Sequence, residues 1–149
     1  MINQDFLEDI EHIRQYIHSH DVSIIAMKNG NIIGTWKGNG VKPFLELITK
    51  HGSQLDGCVI GDRILGKASA LLCRYVNAKA VYALQGTKKA IATLIVGGII
   101  NQVDDIIEYV QNKTKNGVCP FEQLLMQEDD PKKAYELLVQ SIMKSGNKY

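Results

Sequence analysis

Four side chains that could carry chemistry lie far apart along the chain: Asp62, Lys67, Cys119 and Glu122. Cys119 precedes Pro120 directly and Glu122 by three residues, a spacing typical of the start of a helix. A thiol at a helix N-terminus has a lowered pKa and ionises to a nucleophilic thiolate, for which Glu122 would be the acid/base partner. The structural alternative is a capping box in which Cys119 stands in place of Ser or Thr.

Asp62 and Lys67 lie where a predicted buried strand meets a predicted helix. Asp62 is either the N-cap of that helix or a carboxylate that orients a ligand or accepts a proton at the edge of the sheet. Lys67 is either a surface lysine whose stem covers apolar area or an ammonium that faces the site of Asp62. In the second case, loss of water would lower the Lys67 pKa, and the group could act as a base or bind an anion.

A glycine-rich loop with the sequence GNGVKP supplies a weaker candidate site. Backbone N–H groups at Gly38 and Gly40, with Lys42 close to a helix start, suit an anion. The segment matches neither a phosphate-binding P-loop nor a dinucleotide fingerprint, so a plain loop is the alternative.

Composition limits the class of protein. The chain has 149 residues, of which 45% are hydrophobic and 22% are charged, as in a single soluble globular domain. Seventeen basic side chains against sixteen acidic ones give no electrostatic argument for a nucleic acid or an anionic membrane as partner. The start of the chain lacks the features of a secretory signal, and no apolar run approaches the roughly 20 residues of a membrane-spanning helix.

The three cysteines show neither metal-ligand nor redox-pair spacing. This pattern predicts reduced thiols in a cytoplasm and neither a metal site nor a cofactor.

Periodicity predicts an α/β fold with three layers, helix-sheet-helix. An N-terminal helix is expected to start at Ile2 and to end between His18 and Asp21, and the Asn29-Gly30 pair predicts a β-hairpin. Helices and strands then alternate, which indicates parallel crossovers and a mixed sheet of about five strands.

Residues 105–149 are expected to be a C-terminal helical addition. Within and just before this segment, the pattern of residues 104–118 fits either a helix or a strand. The other expected elements are a strand at Cys58–Gly61, a helix at Arg63–Tyr75, strands at Ala80–Leu84 and Ile99–Val103, a helix capped by Thr87, and helices starting at Pro120 and Pro131 that end near Gln127 and Lys144.

Three stretches, GNGVKPFLELI, GDRILGKASALL and NGVCPFEQLL, occur in an order and at a spacing that resemble a small prokaryotic family known only as a domain of unknown function. The resemblance covers about Val22 to Leu138. It implies a cytidine-deaminase-like fold and a shared pocket built from Asp62, Lys67, Cys119 and Glu122.

The chain departs from the pattern of working zinc deaminases. Such enzymes carry His-x-Glu or Cys-x-Glu at one helix start and Pro-Cys-x-x-Cys at the next. In this chain the corresponding helix starts have the sequences GNGVKPFLEL and GDRILGKA. These segments supply none of the three ligands that a catalytic zinc needs. Zinc-dependent deamination is therefore disfavoured.

Three functional hypotheses remain. The first is a metal-free, cysteine-dependent enzyme with a small-molecule, nucleotide-like pocket. The second is a non-catalytic ligand-binding or regulatory module with the same pocket. The third is a structural protein, such as a homodimer, that uses apolar area of the N-terminal helix and of the segment Ala90 to Ile100.

Overall fold

The computed structural model describes residues 5–145, so the predicted contribution of Ile2 to the first helix lies outside the described residues. These residues form five strands and six α-helices, and a short 3-10 helix, Gly52–Leu55, follows the second α-helix. The strands are β1 Ile24–Lys28, β2 Asn31–Trp36, β3 Val59–Leu65, β4 Ala80–Thr87 and β5 Ile100–Ile107. The helices are α1 Asp5–Ser19, α2 Lys42–His51, α3 Lys67–Tyr75, α4 Lys88–Val96, α5 Pro120–Leu124 and α6 Pro131–Ser145.

The strands form one mixed sheet in the order β2-β1-β3-β4-β5. β1 pairs antiparallel with both β2 and β3, while β3, β4 and β5 run parallel to one another. The prediction of a mixed five-stranded sheet with helices on its faces is confirmed.

Two hydrophobic cores lie on opposite faces of this sheet, because successive side chains of a strand point to opposite sides. Ile60 and Val81 belong to the larger core, which also contains residues of α2 to α6. Their strand neighbours Val59 and Tyr82 belong to the smaller core, which α1 covers with Ile10, Ile13 and Ile17. The two cores therefore give the three layers that the sequence predicts.

The hairpin and one helix start follow local rules that the sequence displays. β1 and β2 meet at Asn29 and Gly30, both of which have positive φ, at 52° and 83°. Thr87 caps α4, since its Oγ1 accepts a hydrogen bond from the Ala90 N–H at 3.1 Å. Both predictions are confirmed.

The predicted helix start at Arg63 is wrong. β3 continues through Asp62 to Leu65, because this segment pairs with β4 at Ile64↔Gln85 and Leu65↔Gly86. α3 begins only at Lys67, after Gly66. Apolar residues at Ile64 and Leu65 fit a helical stripe and a strand equally well, so periodicity could not place the boundary.

Two predictions near the C-terminus are also corrected. β5 extends to Ile107 through pairing with β4 as far as Thr87↔Ile107, so residues 105–107 are strand and not part of a helical addition. Residues 108–119 contain no helix or long strand, apart from an isolated bridge between Gln111 and Val118. α5 ends at Leu124, three residues before the predicted end.

Within the described range, each helix is either too short or too polar to cross a membrane.

Candidate functional site

The three sequence stretches that carry the family resemblance meet in the structure. The loop before α2 contacts α5, since a Cβ added to Gly40 would lie 3.0 Å from a ring carbon of Phe121. The start of α3 contacts α5 through Glu122. We call Asp62, Gly66, Lys67, Cys119 and Glu122 the junction, because they lie in or next to β3, the start of α3 and α5.

Glu122 caps a helix other than its own. Its Oε1 accepts a hydrogen bond from the Lys67 N–H and its Oε2 accepts one from the Ala68 N–H, both at 2.8 Å. These N–H groups belong to the first turn of α3, whose N-cap residue, Gly66, has no side chain to satisfy them. The carboxylate therefore replaces the missing cap, and its charge complements the positive end of the helix dipole.

The capping box predicted for α5 is wrong. Cys119 is the N-cap residue of α5, but its side chain makes no capping hydrogen bond. Its backbone N–H, which a capping-box glutamate would bind, donates instead to the Val110 carbonyl at 2.8 Å. Glu122 is thus free to reach α3.

Lys67 joins the two elements in the opposite direction. Its Nζ donates to the carbonyl oxygens of Leu125 at 2.9 Å and Met126 at 3.2 Å, at the C-terminal end of α5. It also lies 2.9 Å from Asp129 Oδ1. The interpretation of Lys67 as a surface lysine is wrong, since its side chain is only 6% exposed. Its ammonium thus binds carbonyl groups that follow directly after α5, one of which, that of Leu125, also accepts the Glu128 N–H at 3.1 Å.

Asp62 is buried in the middle of β3 and is not a helix N-cap, which corrects that alternative. Its Oδ1 accepts a weak hydrogen bond from the Ile64 N–H at 3.3 Å, and its carboxyl group is hydrogen bonded to the Ser69 side chain. Burial raises the pKa of Asp62 from 3.8 to about 7, and the negative charge of Glu122 adds to the rise.

The Cys119 thiol does not have the lowered pKa expected at a helix N-terminus. Its residue is only 6% exposed, and burial raises the pKa above the ordinary value of 9.0. The backbone N–H groups of Phe121 and Glu122 near the sulfur lower the pKa, but their effect is smaller than that of burial. Loss of water destabilises a thiolate more than the short helix α5 stabilises it.

The glycine-rich loop lies at the edge of the junction. The Gly38 N–H donates to the Ser23 hydroxyl oxygen at 3.1 Å, and that hydroxyl donates to the Gly38 carbonyl at 2.7 Å. Gly40 has a φ of 64° and packs on Phe121, while Lys42 is the first residue of α2. Gly38 and Gly40 are thus placed by protein contacts within the fold.

Sequence reasoning missed three residues that complete the arrangement: Gly66, Ser69 and Asp129. Gly66 had a usable signal, because a glycine directly before a helix leaves the first turn without a side-chain cap. Asp129 had none, since its contact with Lys67 depends on how the chain turns after α5.

Two open cavities of about 370 and 610 Å³ border the β-hairpin. The first lies against α1, and the second lies near His51 and Gln54. None of the junction residues lines either cavity. Among residues 5–145, no group of three or more His, Cys, Asp or Glu side chains is arranged to hold a metal ion.

Solved structures of other proteins have folds similar to that of this chain. A DUF1893 family protein, TM1506 from Thermotoga maritima, has a crystal structure that matches with a TM-score of 0.80 and 26% identity over 95% of this chain and 92% of that chain. The apo dCMP deaminase of cyanophage S-TIM5 matches more weakly, with a TM-score of 0.45 and 15% identity over 71% of this chain and 100% of that one. RibD of Acinetobacter baumannii also matches weakly, with a TM-score of 0.49 and 15% identity over 66% of this chain and 35% of that one.

A search of curated proteins found no match. The model of the TM1506 family, described as a domain of unknown function (DUF1893), matches residues 12–142. Because this match spans most of the sequence, the chain belongs to the DUF1893 family.

Proposed function

We propose that this protein is a non-catalytic binding module, in which the junction holds the segment around α5 against the start of α3. The observation that carries the proposal is the position of the Glu122 carboxylate. Each of its oxygens accepts a hydrogen bond from a backbone N–H group of α3 at 2.8 Å. A carboxylate engaged in this way stabilises a helix and is poorly placed to move a proton.

The cysteine-dependent activity expected from the sequence would require a thiolate at Cys119. Burial acts against it, because it raises the pKa of this thiol and keeps the sulfur protonated near neutral pH. The expected acid/base partner, Glu122, is occupied by α3, and the Lys67 ammonium is occupied by carbonyl groups of α5. These contacts support a structural role for all three side chains.

The ligand that we propose is a small anionic molecule, such as a nucleotide. The start of α3 already binds the Glu122 carboxylate, and the Lys67 ammonium already binds the Asp129 carboxylate. Groups that stabilise an internal carboxylate also suit an external phosphate or carboxylate. No cofactor is part of the proposal.

A thermal-shift screen of nucleotides, sugar phosphates and dicarboxylates tests the proposal. A ligand that binds the folded state stabilises it by RT ln(1 + [L]/Kd), about 2.7 kcal/mol at a hundredfold excess over Kd. We expect at least one anion to raise the melting temperature with its concentration and to be recovered unchanged, as checked by mass spectrometry. Conversion of a stabilising compound, or a screen without any stabilising anion, would contradict the proposal.

A further inference from the structure

The contact between Lys67 and Asp129 combines a buried cation with an exposed anion. The side chain of Lys67 is 6% exposed, whereas that of Asp129 is 89% exposed. Two of the hydrogen bonds of the ammonium go to the Leu125 and Met126 carbonyls, and the third goes to Asp129 Oδ1 at 2.9 Å. The ammonium is therefore held by the fold on one side and reaches solvent through the carboxylate on the other.

Charges beyond Lys67 also act on this carboxylate, which lies between two further acidic residues of the chain. The hydrogen bond from Lys67 is the main cause of the lowered pKa of Asp129, and the charges of Lys89 and Arg74 lower it further. Lys89 is exposed in the first turn of α4, and Arg74 lies in the last turn of α3. Three cations from two helices thus act on one exposed carboxylate.

We propose that Lys67 and Lys89 form a binding site for a phosphate group, in which the phosphate takes the place of the Asp129 carboxylate. This inference rests on the proposed function, for which it names the site and the ligand class. A phosphate matches the site because it carries more negative charge than a carboxylate and accepts more hydrogen bonds.

The exchange of Asp129 for a phosphate requires little rearrangement. The Lys67 ammonium stays paired during the exchange, because the phosphate replaces the Asp129 carboxylate as its anion, and the Asp129 side chain already lies in solvent. Lys67 also keeps its two carbonyl partners and its position. A cation that is already ordered loses less conformational entropy on binding than a mobile surface lysine does.

Inorganic phosphate, titrated by calorimetry and by 31P NMR at constant ionic strength with chloride as the balancing ion, tests this site. Asp129→Asn removes the competing carboxylate and leaves the buried Lys67 ammonium without this anion, so we expect phosphate to bind at least about fivefold more tightly, since fivefold is the upper end for a fully exposed pair. Lys89→Met removes one cation, so we expect binding weaker by a similar factor. Lys88→Met is the matched control, because Lys88 is an exposed neighbour on the same helix turn, and its affinity should stay within about twofold of the wild type.

The outcomes separate this site from the broader proposal. If anions stabilise the wild type while Asp129→Asn and Lys89→Met behave like the control, the phosphate site proposed at Lys67 and Lys89 is wrong. The proposal that the protein is an anion-binding module is then still supported. Weaker phosphate binding by Asp129→Asn would also overturn the site, since it would show that Asp129 does not compete. If no anion binds any of these proteins, both proposals fail.

Discussion

Gly66 and Glu122 form a matched pair across the contact between α3 and α5. A Cβ added to Gly66 would come within 2.6 Å of the Glu122 carboxyl carbon and within 2.7 Å of a Val110 methyl group. Only glycine leaves room there for the carboxylate that caps α3. The missing side chain at the N-cap and the carboxylate that replaces it are therefore two parts of one arrangement.

Replacement of Gly66 by alanine tests this pairing by steric means. Gly66 has an extended backbone that any residue can adopt, with φ −109° and ψ −174°, so a loss would come from displacement of Glu122 and of the neighbouring Val110 side chain. We expect Gly66→Ala to lower the free energy of unfolding by about 1–3 kcal/mol, measured by urea denaturation, as for an overpacked site. Gly117→Ala, whose new Cβ would meet its nearest neighbour at 3.4 Å, is the control and should be close to neutral. Equal stability of both variants would contradict the pairing.

Removal of the Glu122 side chain tests the same contact by its chemistry. We expect Glu122→Ala to cost about 2 kcal/mol of unfolding free energy, the upper end of measured N-cap losses, because two N–H groups of α3 lose their acceptor. Glu122→Gln keeps one acceptor oxygen and should lose less. Glu46→Gln, at an exposed position on α2, provides a matched control for loss of charge. A Glu122→Ala variant as stable as the control would be incompatible with a capping role.

Asp62 predicts an unusual dependence of stability on pH. Because its pKa is about 7 in the folded protein and about 3.9 in an unfolded chain, the folded state holds this proton more tightly. The contribution to stability is complete below pH 4 and is lost as the pH rises toward and through 7. Asp62→Asn cannot ionise, so we expect it to be a few kcal/mol more stable than the wild type at pH 8, at about 1.4 kcal/mol for each pKa unit.

Urea denaturation of both proteins from pH 4 to pH 8 measures this difference. Asp105→Asn, an exposed acidic position on β5, is the control and should retain the slope of the wild type. An Asp62→Asn variant with the same slope as the wild type would show that Asp62 is ionised throughout.

The thiols distinguish the binding module from a cysteine-dependent enzyme. Cys58, Cys73 and Cys119 are all buried, and burial raises the pKa of each. We expect all three to react slowly with an aromatic disulfide reagent at pH 8 in the native state and quickly after unfolding in urea. A single fast thiol at Cys119, identified by mass spectrometry and absent in Cys119→Ser, would instead support the enzyme.

The sequence predicted those parts of the fold that depend on local backbone chemistry. Asn29 and Gly30 form the hairpin because both adopt positive φ, and Thr87 caps α4 because its hydroxyl needs only a neighbouring N–H. The helix boundary near Asp62 was not predictable in this way. Ile64 and Leu65 join β3 through pairing with β4, and that pairing depends on residues distant in the sequence.

The sequence indicated which stretches contain the residues of the junction, but it did not predict the contacts that these residues make. Glu122, Lys67 and Cys119 do come from stretches that meet in the fold. Their spacing along the chain favoured a capping box within α5, whereas the structure pairs Glu122 with α3. Contacts between elements decide which N–H groups a carboxylate satisfies, and sequence periodicity does not show such contacts.

Amide hydrogen exchange at Lys67 and Ala68, followed by NMR, tests the central claim most directly. First-turn amides of a helix have no acceptor within the helix and exchange quickly unless another group binds them. We expect both amides to be protected in the wild type and to exchange much faster in Glu122→Ala, while amides within β4 stay protected. Fast exchange of both amides in the wild type would show that Glu122 does not cap α3 in solution.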